Sequence, residues 1–250
     1  MGYKKILVVS DNEHLLSFLI DFMGRTPALC QDRSFRFVCS PRNKTLAGQH
    51  IGEYVIEPLD VKLSYQEIIE HHDLVISAHC KQLFPEKLIA ERKCVNIHPG
   101  FNPFNRGWYP QVFSIMNGLP LGATIHEIDA EIDHGLIIDQ QEVPLHAWDT
   151  SLDAYERVQE AEEELITRSL GHILDADYTA AHPSQAGNLN LKKDFEVLRE
   201  INLNEMVTYK QALDRLRALT HADFKNAYFY DPTSSKKVYV TIKLEPEDQP

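Results

Sequence analysis

Short apolar runs that alternate with helical patterns constrain the fold of this chain more than any other feature of its sequence. Residues 4–10 form a continuous apolar run typical of a strand buried in a parallel sheet. Residues 73–78 predict another buried strand, and residues 94–98 predict a strand that carries Asn96 and His98. A helical pattern with Leu15 and Leu19 on one side follows the first run. The alternation predicts an α/β fold, with a Rossmann-like, mainly parallel sheet, helices on both faces and an antiparallel edge.

Further elements follow from the same patterns. Strands are predicted at 35–40, 53–57 and 136–143, and helices at 65–72, 108–117 and 150–174. Thr150 and Asp153 form a capping-box variant at the start of the last helix, where Glu162–Glu164 are expected on the solvated face. His71 and His72 are neighbours on a predicted helix, so their side chains diverge and are expected at the surface rather than on a metal.

The pattern changes after residue 175. Residues 182–190 are rich in turn formers and predict a linker, and a helix is expected within 208–220. Residues 227–230 and 237–244 predict a β-hairpin, and residues 245–250 are expected to be disordered. The buried positions expected for the helix are Leu213, Leu216 and Leu219. The sequence therefore predicts a main domain of 1–175 and an appendage of 176–250.

Charge and cysteine content limit the partners and the compartment. The formal net charge of −12 opposes binding to a nucleic acid. The four cysteines have no Cys-x-x-Cys spacing, which favours a reducing compartment. The sequence shows no secretory signal and no apolar run near the ~20 residues that span a bilayer. We therefore expect a cytoplasmic protein that binds neither a membrane nor a nucleic acid.

The strongest candidate for a functional site is the end of the strand predicted at 94–98. Asn96 and His98 are two residues apart on a strand, so their side chains lie on the same face. Pro99 and Gly100 then end the strand. Ligands of parallel sheets bind beyond the carboxyl ends of strands, so this place favours catalytic groups. Alternatively, His98 only caps main-chain groups at a strand exit.

An acidic loop between two later strands supplies a third polar group. Asp133 lies in an Asp-His-Gly turn, and a carboxylate near Asn96 and His98 would complete a polar triple. No metal is required for such a triple, although an Asp-His pair could also be part of a ligand set. Ser10 and its neighbours can cap a helix, or a phosphate could bind at that helix terminus, but no Gly-x-Gly-x-x-Gly follows the strand.

Three motifs in this order resemble those of the folate-dependent formyltransferases, over roughly residues 1 to 175. They are Asn96-Ile-His-Pro-Gly100, Phe104-Asn-Arg-Gly107 and Ile132-Asp-His-Gly135. The family includes glycinamide ribonucleotide, methionyl-tRNA and amino-sugar N-formyltransferases. The resemblance implies that residues 1–175 form a formyltransferase catalytic domain and that 10-formyltetrahydrofolate is its cosubstrate.

Formyl transfer to an amine explains the polar triple. The reaction passes through a tetrahedral intermediate that needs an oxyanion donor and a proton acceptor. Asn96 supplies an amide donor, and His98 can accept the proton of the amine. Asp133 would orient His98 or relay the proton. Because no serine or cysteine nucleophile accompanies them, direct transfer is expected.

The resemblance also implies binding residues. Those expected at the folate are His79, Cys80, Lys81, Phe84, Ile128, Asp129 and Ile132. Those expected at the substrate are Ser10, Lys81, Arg106 and Tyr228, with Ser10 and Lys81 near its phosphates. Alternatively, Ser10 is a helix cap, Lys81 is a solvated lysine, and aromatic residues such as Tyr228 pack in the core.

The C-terminal appendage bears on the acceptor. A short helix and hairpin on an acidic chain resemble the sugar nucleotide N-formyltransferases that act on dTDP-4-amino-4,6-dideoxy sugars, such as the glucose derivative, in surface polysaccharide synthesis. A homodimer formed through the hairpin is then expected, because an isolated hairpin is marginal in water. The alternatives are a methionyl-tRNA or other folate-dependent formyltransferase, or a folate-binding module without catalysis.

Overall fold

The computed structural model describes residues 2–247 and gives the chain a mixed order of strands and helices. The strands are β1 (Lys5–Ser10), β2 (Ser34–Cys39), β3 (His50–Ile51), β4 (Tyr54–Val55), β5 (Glu57–Pro58), β6 (Leu74–Ala78), β7 (Lys93–His98), β8 (Arg106–Gly107), β9 (Leu121–Glu127), β10 (Ile137–Val143), β11 (Leu189–Asn190), β12 (Ala227–Tyr230) and β13 (Lys237–Val240). The helices are α1 (Glu13–Arg25), α2 (Tyr65–His71), α3 (Glu86–Glu91), α4 (Pro110–Asn117), α5 (Ser151–Leu174), α6 (Lys192–Arg199) and α7 (Tyr209–Leu219), with a 3-10 turn at Pro27–Cys30.

The central sheet has the order β10-β9-β7-β6-β1-β2-β5. Strands β5, β2, β1, β6 and β7 are parallel, whereas β9 is antiparallel to both β7 and β10. This confirms the predicted mainly parallel sheet with an antiparallel edge. It also places the end of β7 at the border between the parallel and antiparallel parts.

Two apolar cores lie on opposite faces of the sheet. Within β1, Ile6 and Val8 pack with α1, α4 and α5, whereas Leu7 and Val9 pack with α2 and α3. Alternate residues of a strand point to opposite faces, so a continuous apolar run fills both cores. The predicted helices on both faces are therefore confirmed.

The ends of α1 and α5 show how local sequence sets the helices. The Thr150–Asp153 capping box is present at the start of α5, as predicted. Asn12, not Ser10, caps α1, because its side chain accepts the N–H of Leu15. Ser10 is the last residue of β1 and is fully buried.

Two N-terminal predictions were wrong. The strand predicted at 53–57 breaks at Ile56, whose side chain is buried, so β4 pairs with β3 and β5 pairs with β2. His72 was expected at the surface but is buried, because it lies just past the end of α2 where the chain turns into β6. Burial lowers the pKa of His72.

The C-terminal part also differs from the prediction. The expected linker contains β11, which pairs with β8, and helix α6 follows it. In α7, Leu219 is buried as predicted but Leu213 is 45% exposed. The buried face of α7 instead includes Arg217, which donates to the main-chain oxygens of His146 and Asp149. Strand β13 ends at Val240, four residues before the predicted end.

The C-terminal elements share the larger core. Buried side chains at Phe195, Ala218, Leu219 and Ala227 belong to the apolar cluster that contains α4 and α5. The division into 1–175 and 176–250 stays a prediction. Of the tail expected to be disordered, residues 248–250 lie outside the described residues. No helix within residues 2–247 is long and apolar enough to cross a membrane.

Candidate active site

The predicted polar triple meets at the end of β7. The Asn96 Nδ2 atom donates to Asp133 Oδ1 at 3.0 Å, and His98 Nδ1 lies 3.5 Å from Asp133 Oδ2. Asp133 comes from the loop between β9 and β10, which folds back over β7. The main-chain N–H of Gly107 donates to Asp133 Oδ2 at 3.1 Å, and Asn102 Nδ2 donates to the main-chain oxygen of Asp133 at 2.8 Å. Asp133 is therefore held in place by donors from three segments, two to its carboxylate and one to its main-chain oxygen.

Burial sets the charge states of this centre. It lowers the pKa of His98 to about 4, and the nearby charge of Asp133 offsets this only in part. Burial alone would raise the pKa of Asp133, but the His98 imidazole and the Gly107 N–H hold it below its ordinary value. At neutral pH the site therefore combines an ionised carboxylate with a neutral imidazole.

His98 carries an unused acceptor. Its Nδ1 faces the carboxylate of Asp133, an acceptor-only group, so Nδ1 carries the hydrogen and Nε2 is bare. Nε2 is buried and has no hydrogen-bond partner within the described part of the chain. Buried polar atoms are normally paired, so an orphan of this kind points to a place that a substrate completes.

A second histidine, which the sequence reasoning missed, lies beside the triple. His126 of β9 is the direct cross-strand partner of Asn96, and its Nε2 lies 3.2 Å from Asn96 Nδ2 and 3.5 Å from Asp133 Oδ1. It is 2% exposed. The signal was a lone imidazole in the otherwise apolar run of β9, but only the register of β9 against β7 shows its partner.

The partly buried His79 and the fully buried Glu162 form a pair near the ends of β1 and β6. The His79 Nε2 atom lies 2.7 Å from Glu162 Oε1, and its Nδ1 lies 3.2 Å from Asn12 Nδ2. Asn12 Nδ2 also donates to the Tyr155 hydroxyl at 3.0 Å. Glu162, expected on the solvated face of α5, is fully buried, and burial raises its pKa. Glu162 is buried because α5 packs against the loop that carries His79.

Asp11 ties three loops of the same rim together. Its carboxylate accepts the N–H of Ser40 and the N–H of Lys81, each at 3.0 Å. The side chain of Lys81 is exposed. The hydroxyl of Ser10 is instead buried and hydrogen-bonded to the main chain of Asn12, so it does not face the rim. The main-chain N–H of Lys81 links Asp11 to the loop predicted to hold the folate.

The remaining predicted folate residues fall into two groups. Cys80, Phe84 and Ile128 are partly buried, and each packs against the smaller core. Asp129 accepts from the N–H of Glu131 at 2.9 Å, and Ile132 is 37% exposed. Both belong to the loop that carries Asp133.

Arg106 and Tyr228, both predicted to bind substrate, lie in different surroundings. Arg106 contacts the Asp133 loop, where its Nη1 lies 3.4 Å from the Ile132 main-chain oxygen, and its buried Nε has no partner among residues 2–247. Tyr228 lies on β12 in a cluster with Tyr230 and Tyr239, and the Lys237 ammonium lies 3.7 Å from its ring centre. Its hydroxyl donates to Glu200 and its main-chain oxygen accepts from Ile201, so its hydrogen bonds lie away from the triple.

The described residues contain no group of three or more His, Cys, Asp or Glu side chains arranged to hold a metal ion. The arrangement around Asp133 can hold a proton, donate to a developing negative oxygen and orient an imidazole. These are the requirements of direct acyl transfer to an amine.

Comparison with known proteins agrees with this chemistry. The formyl transferase family model matches residues 61–170, and the N-formyltransferase dimerization C-terminal domain matches residues 194–246. The chain is 48% identical over 242 residues to the dTDP-4-amino-4,6-dideoxyglucose formyltransferase of Mycobacterium tuberculosis, with 97% of each chain covered.

Solved structures that are similar to this chain include two N-formyltransferases. A sugar N-formyltransferase from Shewanella is 41% identical, with a TM-score of 0.92 over 98% of this chain and 99% of that one. A 4-N formyltransferase from Francisella tularensis is 44% identical, with a TM-score of 0.90 over 97% and 98%. This chain therefore belongs to the sugar N-formyltransferases.

Proposed function

We propose that this enzyme transfers the formyl group of 10-formyltetrahydrofolate to the 4-amino group of a dTDP-linked 4-amino-4,6-dideoxyhexose, such as the glucose derivative. The observation that carries the proposal is the centre formed by Asn96, His98 and Asp133, with one imidazole nitrogen of His98 left open. The similarity to a dTDP-4-amino-4,6-dideoxyglucose formyltransferase extends over 97% of the chain and supports the choice of sugar.

The residues have distinct roles in the proposed reaction. When the amine attacks, a carbon–nitrogen bond forms and the formyl oxygen becomes negative, and the Asn96 amide donates to that oxygen. His98 Nε2 takes the proton that the attacking nitrogen must lose. Asp133 stabilises the imidazolium that forms. The tetrahedral centre then collapses, its bond to the folate nitrogen breaks, and His98 returns the proton to that nitrogen.

The pKa of His98 suits this exchange. A group with a pKa of about 4 takes the proton of the strongly acidic, newly formed ammonium but does not retain it. It is neutral at the start of each cycle, because the cytoplasmic pH lies well above that value. The partly buried apolar side chains of Cys80, Phe84 and Ile128 suit contact with the pterin ring of the folate.

Phosphate recognition requires only a few donors. Lys81 is exposed at the rim and is the proposed contact for the diphosphate, while Arg106 of β8 lies against the Asp133 loop. The net charge of −12 favours such a small ligand over tRNA, whose binding draws on many basic contacts.

We also propose a two-fold homodimer through the hairpin. The match to a dimerization domain covers residues 194–246. Tyr228, Tyr230 and Tyr239 lie on one face of the hairpin, and Tyr230 and Tyr239 are 48% and 44% exposed. An exposed aromatic cluster is typical of an interface core.

The proposed function is tested by offering the folate donor with four acceptors in parallel: the dTDP-4-amino sugar, its UDP counterpart, glycinamide ribonucleotide and methionyl-tRNA. Release of tetrahydrofolate and the mass of the product are measured. We expect efficient formylation of the dTDP sugar. Formylation of glycinamide ribonucleotide or methionyl-tRNA, with none on the dTDP sugar, would contradict the proposal.

A further inference from the structure

The Nδ2 atom of Asn96 lies within hydrogen-bonding distance of both Asp133 and His126. Asn96 Nδ2 lies 3.0 Å from Asp133 Oδ1 and 3.2 Å from His126 Nε2. The other ring nitrogen of His126, Nδ1, lies 2.7 Å from the main-chain oxygen of Glu127. The reaction described above makes no use of His126.

These contacts fix the positions of the hydrogens. A main-chain oxygen only accepts, so His126 Nδ1 must carry a hydrogen. The Asp133 carboxylate also only accepts, so the atom of Asn96 beside it must be its NH2 group. The second hydrogen of that group is then directed at His126 Nε2, which must be bare. His126 is therefore held as the neutral tautomer with its hydrogen on Nδ1.

Both N–H bonds of Asn96 are thus occupied within the protein, although the proposed reaction needs one of them at the formyl oxygen. The bond to Asp133 involves a charged acceptor, and such bonds are about twice as strong as neutral ones. The bond to the neutral His126 is therefore the one that exchanges more easily. The developing oxyanion is a charged acceptor and competes well against a neutral nitrogen.

We propose that His126 is a positioning residue, which holds one N–H of Asn96 in the empty site and yields it to the formyl oxygen as negative charge develops there. The inference rests on the proposed function. Without His126 the carboxamide keeps only its bond to Asp133 and can turn about its side-chain bonds. A misdirected donor stabilises the oxyanion less well, so the effect falls on the chemical step rather than on binding.

Two substitutions separate this role from a structural one, because each replaces a different ring nitrogen. In His126→Gln the amide reaches the place of Nε2, and its oxygen can accept from Asn96. In His126→Asn the amide reaches only the place of Nδ1, so it can still donate to Glu127 but cannot contact Asn96. We expect kcat to fall about tenfold or more in the Asn variant, with KM within about twofold, and to stay within about threefold of wild type in the Gln variant.

Equal kcat values in the two variants, or a loss confined to His126→Gln, would overturn the proposal. The contact with Glu127 alone would then account for His126. In an Asn96→Ala background, the proposal expects that His126→Asn has no further effect on kcat, because the two residues act through one bond. A further drop as large as in the wild-type background would also overturn it.

The tautomer is measured independently of activity. Proton–nitrogen correlation spectra of the wild-type protein with isotope-labelled histidine report which ring nitrogen carries hydrogen, and the His126→Gln spectrum assigns the signal. We expect hydrogen on Nδ1 and a bare Nε2 in the absence of substrates. Hydrogen on Nε2 would overturn the proposal even if the variants failed to fold. Failure of the wild-type enzyme to formylate any of the sugars would instead count against the proposed function, and the tautomer result would stand.

Discussion

The Nε2 atom of His98 lies against Gly100, in the space that the Cβ of any other residue would occupy. A Cβ added at Gly100 would meet Nε2 and Cδ2 of His98 at distances that real Cβ atoms do not show. The backbone of Gly100 is not in the left-handed region, so the glycine is required by this close approach and not by its conformation. The turn that ends β7 thereby also sets the position of the proposed base.

Replacing Gly100 with alanine should displace the His98 imidazole and lower kcat roughly a hundredfold, because a shift of about 1 Å can cost that much. Gly24→Ala is the control, since a Cβ there meets nothing within 4 Å and it lies within α1. The control should keep full activity and gain up to about 1 kcal/mol in stability. Steady-state kinetics and thermal unfolding measure both effects. Full activity in Gly100→Ala would show that His98 need not stay where the structure has it.

Asn96→Ala, His98→Ala and Asp133→Asn should each lower turnover at least about a hundredfold while the protein stays folded. The losses should not add in the double variants, because the three side chains act as one unit through the carboxylate of Asp133. Near wild-type turnover in His98→Ala would exclude His98 as the base.

His98 should make the protein sensitive to acid. Its pKa is about 4 when folded and 6.5 when exposed, so between these values the unfolded chain binds a proton that the folded chain does not. Stability is then lost as the pH falls from 6.5 toward 4, by roughly 2 to 3 kcal/mol at pH 4.5. Urea unfolding of wild type and His98→Asn between pH 7 and 4.5 measures this, and the variant should lose about that much less. Parallel stability curves would contradict the assignment.

The pair of Glu162 and His79 should stabilise the fold only while both partners remain. Glu162→Ala leaves the partly buried His79 imidazole without its carboxylate partner and should cost about 3 kcal/mol in the free energy of unfolding. Glu162→Gln keeps a hydrogen-bonding group beside His79, so it should stay within about 1 kcal/mol of wild type. The exposed neighbour Glu164→Ala is the control and should change stability by less than about 0.5 kcal/mol. Similar losses for Glu162→Ala and the control would show that the pair is not stabilising.

A charge on the aromatic face of the hairpin should disrupt the proposed dimer. Tyr239→Asp would place a carboxylate in the tyrosine cluster, where burial against a second copy is costly. Sedimentation at micromolar concentration should give a dimer for wild type and a monomer for this variant. Leu63→Asp is the control, because Leu63 is 81% exposed and lies far along the chain from the hairpin. A monomeric wild-type protein would refute the dimer. A dimeric Tyr239→Asp variant would show that the interface does not involve the tyrosine cluster.

The sequence alone determined the features that depend on local periodicity. Alternation along β7 places Asn96 and His98 on one face, and the box of Thr150 and Asp153 starts α5 at the predicted residue. The apolar run of β1 fills both cores, which requires a sheet covered on both faces. These features rest on backbone geometry that neighbouring residues share.

Only the tertiary structure decided which distant groups meet. The sequence places Glu162 on a solvated face, but packing of α5 against the loop of His79 buries it. His126 is a neighbour of Asn96 only because of the register of β9 against β7. Asp11 likewise joins Ser40 and Lys81, which are 29 and 70 residues away in the chain. Periodicity specifies which face of an element is buried but not what it is buried against, because that depends on contacts between segments far apart in sequence.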